Sequence, residues 1–231
     1  MIQDRRIGVI IPALNEEQSI ASVIRDIPGD VDEIIVVDNG SSDETKASAG
    51  SAGATVLSEP RRGYGYACLK GIEYLTAKDP DIIVFLDGDY SDYPEELLSL
   101  VVPIIDGQYD LVIGSRMIGQ RQAGAMLPQA LFGNWLATRL IRLFWSYRFT
   151  DLGPFRAIRA SALHQLNMSD GTYGWTVEMQ IKAAKKKLRC TELPVRYRKR
   201  VGKSKVTGTV GGTVKASVKI LYTIFRYALS A

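Results

Sequence analysis

Histidine and cysteine are nearly absent. The 231-residue chain holds one histidine, His164, and two cysteines, Cys68 and Cys190. With no Cys-x-x-Cys pair, a thiolate zinc site is excluded, and a lone histidine argues against a histidine-dependent triad. Two cysteines, one in a helical and one in a strand-like pattern, read as small buried hydrophobes of a reducing compartment. No run of about 18 apolar residues occurs, so no segment is expected to span a bilayer. Met1-Ile2-Gln3-Asp4-Arg5-Arg6 enters a strand pattern almost at once, unlike a secretory signal. Repeats and low-complexity linkers are missing as well. The expected setting is cytoplasmic, free or peripheral on the cytoplasmic face of the membrane.

The net charge of +4 conceals an asymmetry. Residues 182–205 carry eleven Lys or Arg against one acid, Glu192, so this segment is about +10 and the remainder about −6. Such a block implies an anionic partner: phosphate groups, nucleic acid or an anionic membrane surface.

Short apolar runs alternate with helical patterns through the first half. Ile7–Ile11, Ile34–Val37, Ala54–Leu57, Ile82–Leu86 and Leu111–Ile113 read as strands. Helices are predicted from Asn15 to about Asp26, after the Ser42-Asp43-Glu44 cap, from Gly63 to about Ala77 and from Pro94 onward. This alternation predicts a mostly parallel sheet with helices on both faces. The second half is less regular, with helices over 129–147 and 176–187 and a strand over 189–197. The chain divides into an α/β domain, residues 1–212, and a C-terminal amphipathic helix, residues 213–231. Val214, Val218, Leu221, Phe225 and Leu229 fall on one face of that helix, which either docks on the core or lies on a membrane surface.

The most telling stretch is IIVFLDGDYSDYP, residues 82–94. A buried-strand pattern stops at Asp87 and Asp89, where ligands bind in open α/β sheets. Two carboxylates so close repel each other unless a cation lies between them, and a divalent ion with oxygen ligands is the simplest one. Gly88 is expected to let the backbone fold tightly enough for both to face it. A polar turn after a strand is the plainer reading of the same residues. Pro12–Glu16, Asp38, Gly63–Gly65 and Gly114–Arg116 also follow strands or open helices, so a parallel sheet gathers them at one edge. Asp38 suits a base or ribose there, or a helix cap. Two further motifs fail: Cys68 occupies the third glycine of a G-x-G-x-x-G, and Tyr197 stands where a P-loop ending in Gly202-Lys203-Ser204 needs its first glycine.

Taken together, IIPALNEEQSI (10–20), VVDNGSSDET (36–45), RRGYGYACLKGI (61–72), FLDGDYSDYPEEL (85–97), GSR (114–116), FTDLGPFRAIR (149–159), GWTVEMQIKA (174–183) and RVGKSKVTGT (200–209) resemble the family 2 glycosyltransferases of the GT-A fold. Within that family the chain looks most like the polyprenyl- or dolichyl-phosphate mannose or glucose synthase branch. The resemblance implies hexose transfer from a GDP- or UDP-sugar with Mg²⁺ or Mn²⁺. It assigns Pro12, Leu14, Asn15, Glu16, Asp38, Gly63 and Gly65 to the nucleotide-sugar pocket. Asp87, Gly88 and Asp89 form its DxD motif, with both aspartates on the metal. Arg116, Arg156, Arg200, Lys203, Ser204 and Lys205 fall to phosphate or acceptor. Ser91 stands where the synthases usually carry Gln, which puts a third metal ligand in question, and Gly153-Pro154-Phe155-Arg156 replaces the usual SGFR.

Cleaving a glycosyl–phosphate bond builds negative charge on the leaving diphosphate, which a metal and Arg116 would offset. Attack from the opposite face predicts a single displacement with inversion. A polyprenyl phosphate acceptor at the membrane surface is already anionic, whereas a hydroxyl acceptor in a soluble transferase needs a base, for which Asp151 and Glu178 are the candidates. A nucleic-acid binder accounts for the charge block alone and leaves the converging acids unexplained, so nucleic acid is not the expected partner.

Overall fold

The computed structural model describes residues 4–202 and 210–230. Seven strands form one sheet: β1 (Ile7–Ala13), β2 (Glu33–Asp38), β3 (Thr55–Ser58), β4 (Ile82–Phe85), β5 (Leu111–Ser115), β6 (Arg156–Arg159) and β7 (Cys190–Pro194). Their spatial order is β3-β2-β1-β4-β6-β5-β7, parallel throughout except for β6. Among the described residues eight helices cover it: α1 (Ile20–Asp26), α2 (Thr45–Ser51), α3 (Tyr64–Thr76), α4 (Leu97–Ile105), α5 (Pro128–Trp145), α6 (Ala160–Leu166), α7 (Trp175–Lys185) and α8 (Val210–Leu229). A 3₁₀ turn, Pro94–Glu96, leads into α4.

The pleat sends alternate residues to opposite faces, and each face has its own apolar layer. Val9, Ile11, Val84 and Leu86 meet Val23 and Ile24 of α1 and Leu100 and Ile104 of α4. Ile10, Ile83 and Phe85 meet Cys68 and Leu75 of α3, Ile141 of α5, Trp175 and Ile181 of α7 and Ile224 of α8. This is the predicted GT-A-type α/β sandwich.

Three features depart from the sequence reading. First, β6 and α6 were not anticipated. β6 runs antiparallel between β4 and β5, pairing Ala157 with both Val84 and Val112. Second, α1 begins at Ile20 rather than Asn15. Asn15 takes a left-handed φ of 53°, and the Glu16 carbonyl accepts from the Ser19 and Ile20 amides, making a turn before the helix. Third, the chain is already helical at Val210, where the described residues resume, and residues 210–212 share one helix with residues 213–229. α8 is docked, with Ala216, Thr223 and Ile224 buried. The stripe that the sequence singles out is not the docked face: Val214, Val218, Phe225 and Leu229 all remain exposed.

Candidate active site

The chain runs from β1 outward to β2 and β3, then returns to β4 on the other side of β1. This reversal opens a crevice at the carboxyl ends of β1 and β4, where open α/β sheets bind ligands. A cavity of ≈ 410 Å³ occupies it. Pro12, Leu14 and Glu16 line it after β1, Asn39 after β2, and Asp87, Gly88 and Asp89 after β4. Gly63 and Tyr64 close it from the start of α3, Thr172 and Tyr173 from the loop before α7, and Arg62 and Arg200 supply positive charge.

Asp87 is crowded by protein and lies near a like charge. Burial, and after it the Asp89 carboxylate, push its pKa up to about 7. Tyr64 donates to Asp87 Oδ1 at 3.1 Å and fixes its orientation. Asp89 is held differently. Its Oδ1 accepts from the Ser91 amide at 2.9 Å and the Ser91 hydroxyl at 2.5 Å. Its Oδ2 lies 2.9 Å from Arg200 Nη1, while Arg200 Nη2 reaches Glu16 Oε1 at 2.7 Å. One guanidinium therefore bridges two of the cavity's acids. Backbone pairing places it there: the Arg198 amide donates to the Ser91 carbonyl and the Val201 amide to the Asp89 carbonyl, both at 2.9 Å. The basic segment thus lies along the acidic loop.

The donor set suits a hard divalent cation. Asp87 and Asp89 offer carboxylate oxygens, and the burial and like charge that push the Asp87 pKa up are what a bound cation would offset. Among the described residues no group of three or more His, Cys, Asp or Glu is placed to hold a metal. Ser91 spends its hydroxyl on Asp89 rather than facing a metal.

Several expected site residues are engaged elsewhere. Asp38 is completely buried, accepts from the Gly40 and Ser41 amides at 3.1 and 3.2 Å, and shapes the turn after β2. Asn15 is exposed and caps the Ser42 amide at 2.8 Å. Arg156 is fully buried and donates to the carbonyls of Leu152, Gly153 and Thr176. Burial lowers its pKa to about 10, and its hydrogen bonds to these carbonyls brace the chain. Gly88 has no left-handed φ; Tyr90, at 61°, takes that turn. Gly63 lines the cavity, and both Gly63 and Gly65 have a packing reason to be glycine. A Cβ on either would fall 2.2 Å from the Gly171 carbonyl oxygen or 2.0 Å from that of Asp170, so these glycines admit the loop that carries Thr172 and Tyr173.

Neither candidate base is free. Asp151 forms a two-pronged ion pair with Arg116, Nε to Oδ2 at 2.8 Å and Nη2 to Oδ1 at 2.7 Å. Burial pushes the Asp151 pKa up, but Arg116 outweighs it and holds the carboxyl below its ordinary value. Arg116 in turn stacks over Tyr197. Glu178 accepts from Ser169, Asp170, Lys182 and Tyr227, all within 3.3 Å, and clamps the same loop from behind. Lys203, Ser204 and Lys205 lie outside the described residues.

Sequence reasoning missed Arg62, Tyr64, Thr172 and Tyr173. Arg62 and Tyr64 sit inside the RRGYG segment, where the glycines drew the attention. It also missed Asp92, which is buried with both carboxylate oxygens unpartnered among the described residues. Burial, with Asp87 nearby, holds the Asp92 proton well above the ordinary carboxylate range.

Comparison with known proteins agrees with this geometry. A dolichyl-phosphate hexose transferase of Haloferax volcanii is 32% identical over 220 residues, 93% of either chain. An undecaprenyl-phosphate mannosyltransferase of Micrococcus luteus is 28% identical over 228 residues, 92% of either chain. A crystal structure of glucosyl-3-phosphoglycerate synthase from Mycobacterium tuberculosis, in complex with Mn²⁺, UDP and phosphoglyceric acid, superposes with a TM-score of 0.77 at 25% identity, over 98% of this chain and 79% of that one. The family model described as Glycosyl transferase family 2 matches residues 8–166, from the first strand through α6, and the chain belongs to that family.

Proposed function

We propose that the protein transfers a hexose, with inversion, from a GDP- or UDP-sugar to a polyprenyl phosphate. The observation that carries the choice of acceptor is the state of the two candidate bases. Asp151 and Glu178 are both saturated by ion pairs and hydrogen bonds. A hydroxyl acceptor must lose a proton as it attacks, whereas a phosphate monoester is already anionic and needs no such group. The two curated relatives named for lipid phosphates support the same reading.

The chain's own residues do the following. Pro12, Leu14 and Asn39 line the cavity and would face the nucleoside. Asp87 and Asp89 would hold Mg²⁺ or Mn²⁺, which supplies a Lewis acid for the departing diphosphate. Tyr64 and Ser91 fix the orientation of the two carboxylates. Arg200 and Arg62 lie in the wall of the cavity where a diphosphate would develop charge, and fixed positive groups there favour the transition state. Arg116, held rigid by Asp151, adds to the local positive field. Thr172 and Tyr173 line the same cavity and would face the donor.

A second reading, transfer to a soluble acceptor, draws on the likeness to glucosyl-3-phosphoglycerate synthase. The deciding assay incubates the protein with Mn²⁺, UDP-glucose or GDP-mannose, and either detergent-dispersed polyprenyl phosphate or 3-phosphoglycerate. Lipid-linked hexose is the expected product. Turnover of 3-phosphoglycerate alone would replace the lipid reading with the soluble one.

A further inference from the structure

Two neighbouring helices turn large apolar side chains outward. On α5 these are Phe132, Trp135, Leu143 and Phe144; on α8 they are Val214, Val218, Tyr222, Phe225 and Leu229. Exposure reaches 62% at Phe132, 61% at Val218 and 85% at Leu229. The ridges join, because Phe144 and Phe225 meet edge-to-face with centroids 5.8 Å apart. A monomeric soluble protein rarely leaves so continuous an apolar surface uncovered.

The charge around this surface selects its occupant. Neither helix contains a single Asp or Glu, while together they carry Arg139, Arg142, Lys215, Lys219 and Arg226. The Arg139 guanidinium lies over the Trp135 ring at 5.8 Å and the Lys219 ammonium over Tyr222 at 5.7 Å. Around α8, helical spacing gives three sectors: Ala216, Thr223 and Ile224 against the core, Val214, Val218 and Leu229 outward, and Lys215, Lys219 and Arg226 on the flank. Apolar and aromatic groups edged by cations match the acyl boundary and phosphate layer of a bilayer. A second copy related by a twofold axis would set Arg139, Arg142, Lys215 and Arg226 against their own copies with no acid on either helix to offset them, Lys219 being paired with Asp170.

We propose that the joined outer face of α5 and α8 is a docking surface for an anionic lipid bilayer. The inference deepens the lipid-phosphate reading and rests on it for its purpose, since docking brings the cavity to where such an acceptor resides. The link to the cavity is short: Lys219 Nζ binds Asp170 Oδ2 at 2.8 Å, at the base of the loop that carries Thr172 and Tyr173.

The test is co-sedimentation of the full chain with vesicles of phosphatidylcholine alone or with about a third phosphatidylglycerol, where several basic residues near the surface give a clear preference for the anionic ones. Tryptophan emission is recorded in parallel. The expected result is binding to the anionic vesicles, weakened by salt, with a blue shift from Trp135. The double variant F132E/V218E, at two highly exposed positions, should bind at least tenfold more weakly while keeping its melting temperature and its transfer to detergent-dispersed acceptor. A charge variant, R139E/K215E, should lose the anionic preference. Wild-type protein that ignores both vesicle types, or a double variant that binds as well as wild type, overturns the proposal. So does a concentration-dependent dimer that shields Trp135 without lipid. Vesicle binding without lipid-linked product would instead sink the acceptor reading and leave the docking surface standing.

Discussion

Replacing Asp87 by Asn should make the metal-free protein more stable, and increasingly so as pH rises. In the unfolded chain this carboxyl ionises near 3.8, whereas in the folded protein it holds its proton up to about 7. Between those values the native state binds more protons than the unfolded state, so folding loses stability with rising pH. Three units at about 1.4 kcal/mol each set a ceiling of about 4 kcal/mol on this cost. The cavity admits water to one side of the carboxyl, so screening reduces the expected cost to about 1–3 kcal/mol. An amide removes the ionisation and still accepts the Tyr64 hydrogen bond. Urea unfolding in EDTA, from about pH 4 to about pH 8, should show the Asn variant gaining on wild type across this window and levelling off above about pH 7. Mn²⁺ should reverse the order by stabilising only the wild type. A difference independent of pH, or a variant less stable throughout, would refute the assignment of Asp87 as a strained acid awaiting a cation.

Other expectations follow from the same geometry. Arg200→Ala removes a cation that bridges Glu16 and Asp89; Mn²⁺ affinity without donor should rise several-fold by calorimetry while turnover falls at least tenfold, and weaker Mn²⁺ binding would contradict the bridge. Gly65→Ala drives a Cβ to 2.0 Å from the Asp170 carbonyl oxygen, and thermal unfolding should register a loss of about 1–3 kcal/mol together with loss of UDP binding. Glu178→Gln should cost stability, about 3 kcal/mol or more, with a flat pH–rate profile relative to wild type. A stable Gln variant whose kcat loses its acidic limb would instead make Glu178 a base. Asp92→Asn removes a carboxyl whose charged form burial disfavours, and melting at neutral pH should not fall by more than about 1 kcal/mol relative to wild type.

The strand ends were legible because a parallel sheet buries its strands on both faces, and runs such as Ile82–Phe85 advertise this directly. β6 was not legible. Arg-Ala-Ile-Arg is four residues long with a cation at each end, and only pairing with Val84 and Val112, distant in sequence, makes it a strand. In the site, position could be read but direction could not. Asp38 and Arg156 stand next to the cavity in sequence terms, yet their polar atoms find backbone partners and turn inward. Nothing in residue type tells a carboxylate that caps a turn from one that faces a ligand. The C-terminal helix shows the same limit. Its apolar stripe is plain, but small Ala216 and Thr223 let the helix lie close on the core and leave the larger side chains outside.

The reversed entry of β6 has a consequence for how the chain is made. β4 pairs with β1 on one side, and its other side waits for Arg156, which lies 71 residues beyond Phe85 (156 − 85). At about 5–20 residues per second of synthesis, that interval lasts roughly 4–14 s. Through it, the nascent N-terminal half presents an open, apolar, uncharged strand edge, Ile82-Ile83-Val84-Phe85, to any neighbouring chain. Refolding yields should therefore fall steeply with protein concentration, and ribosome-bound intermediates longer than about 120 residues should be a preferred cargo for chaperones that shield β edges.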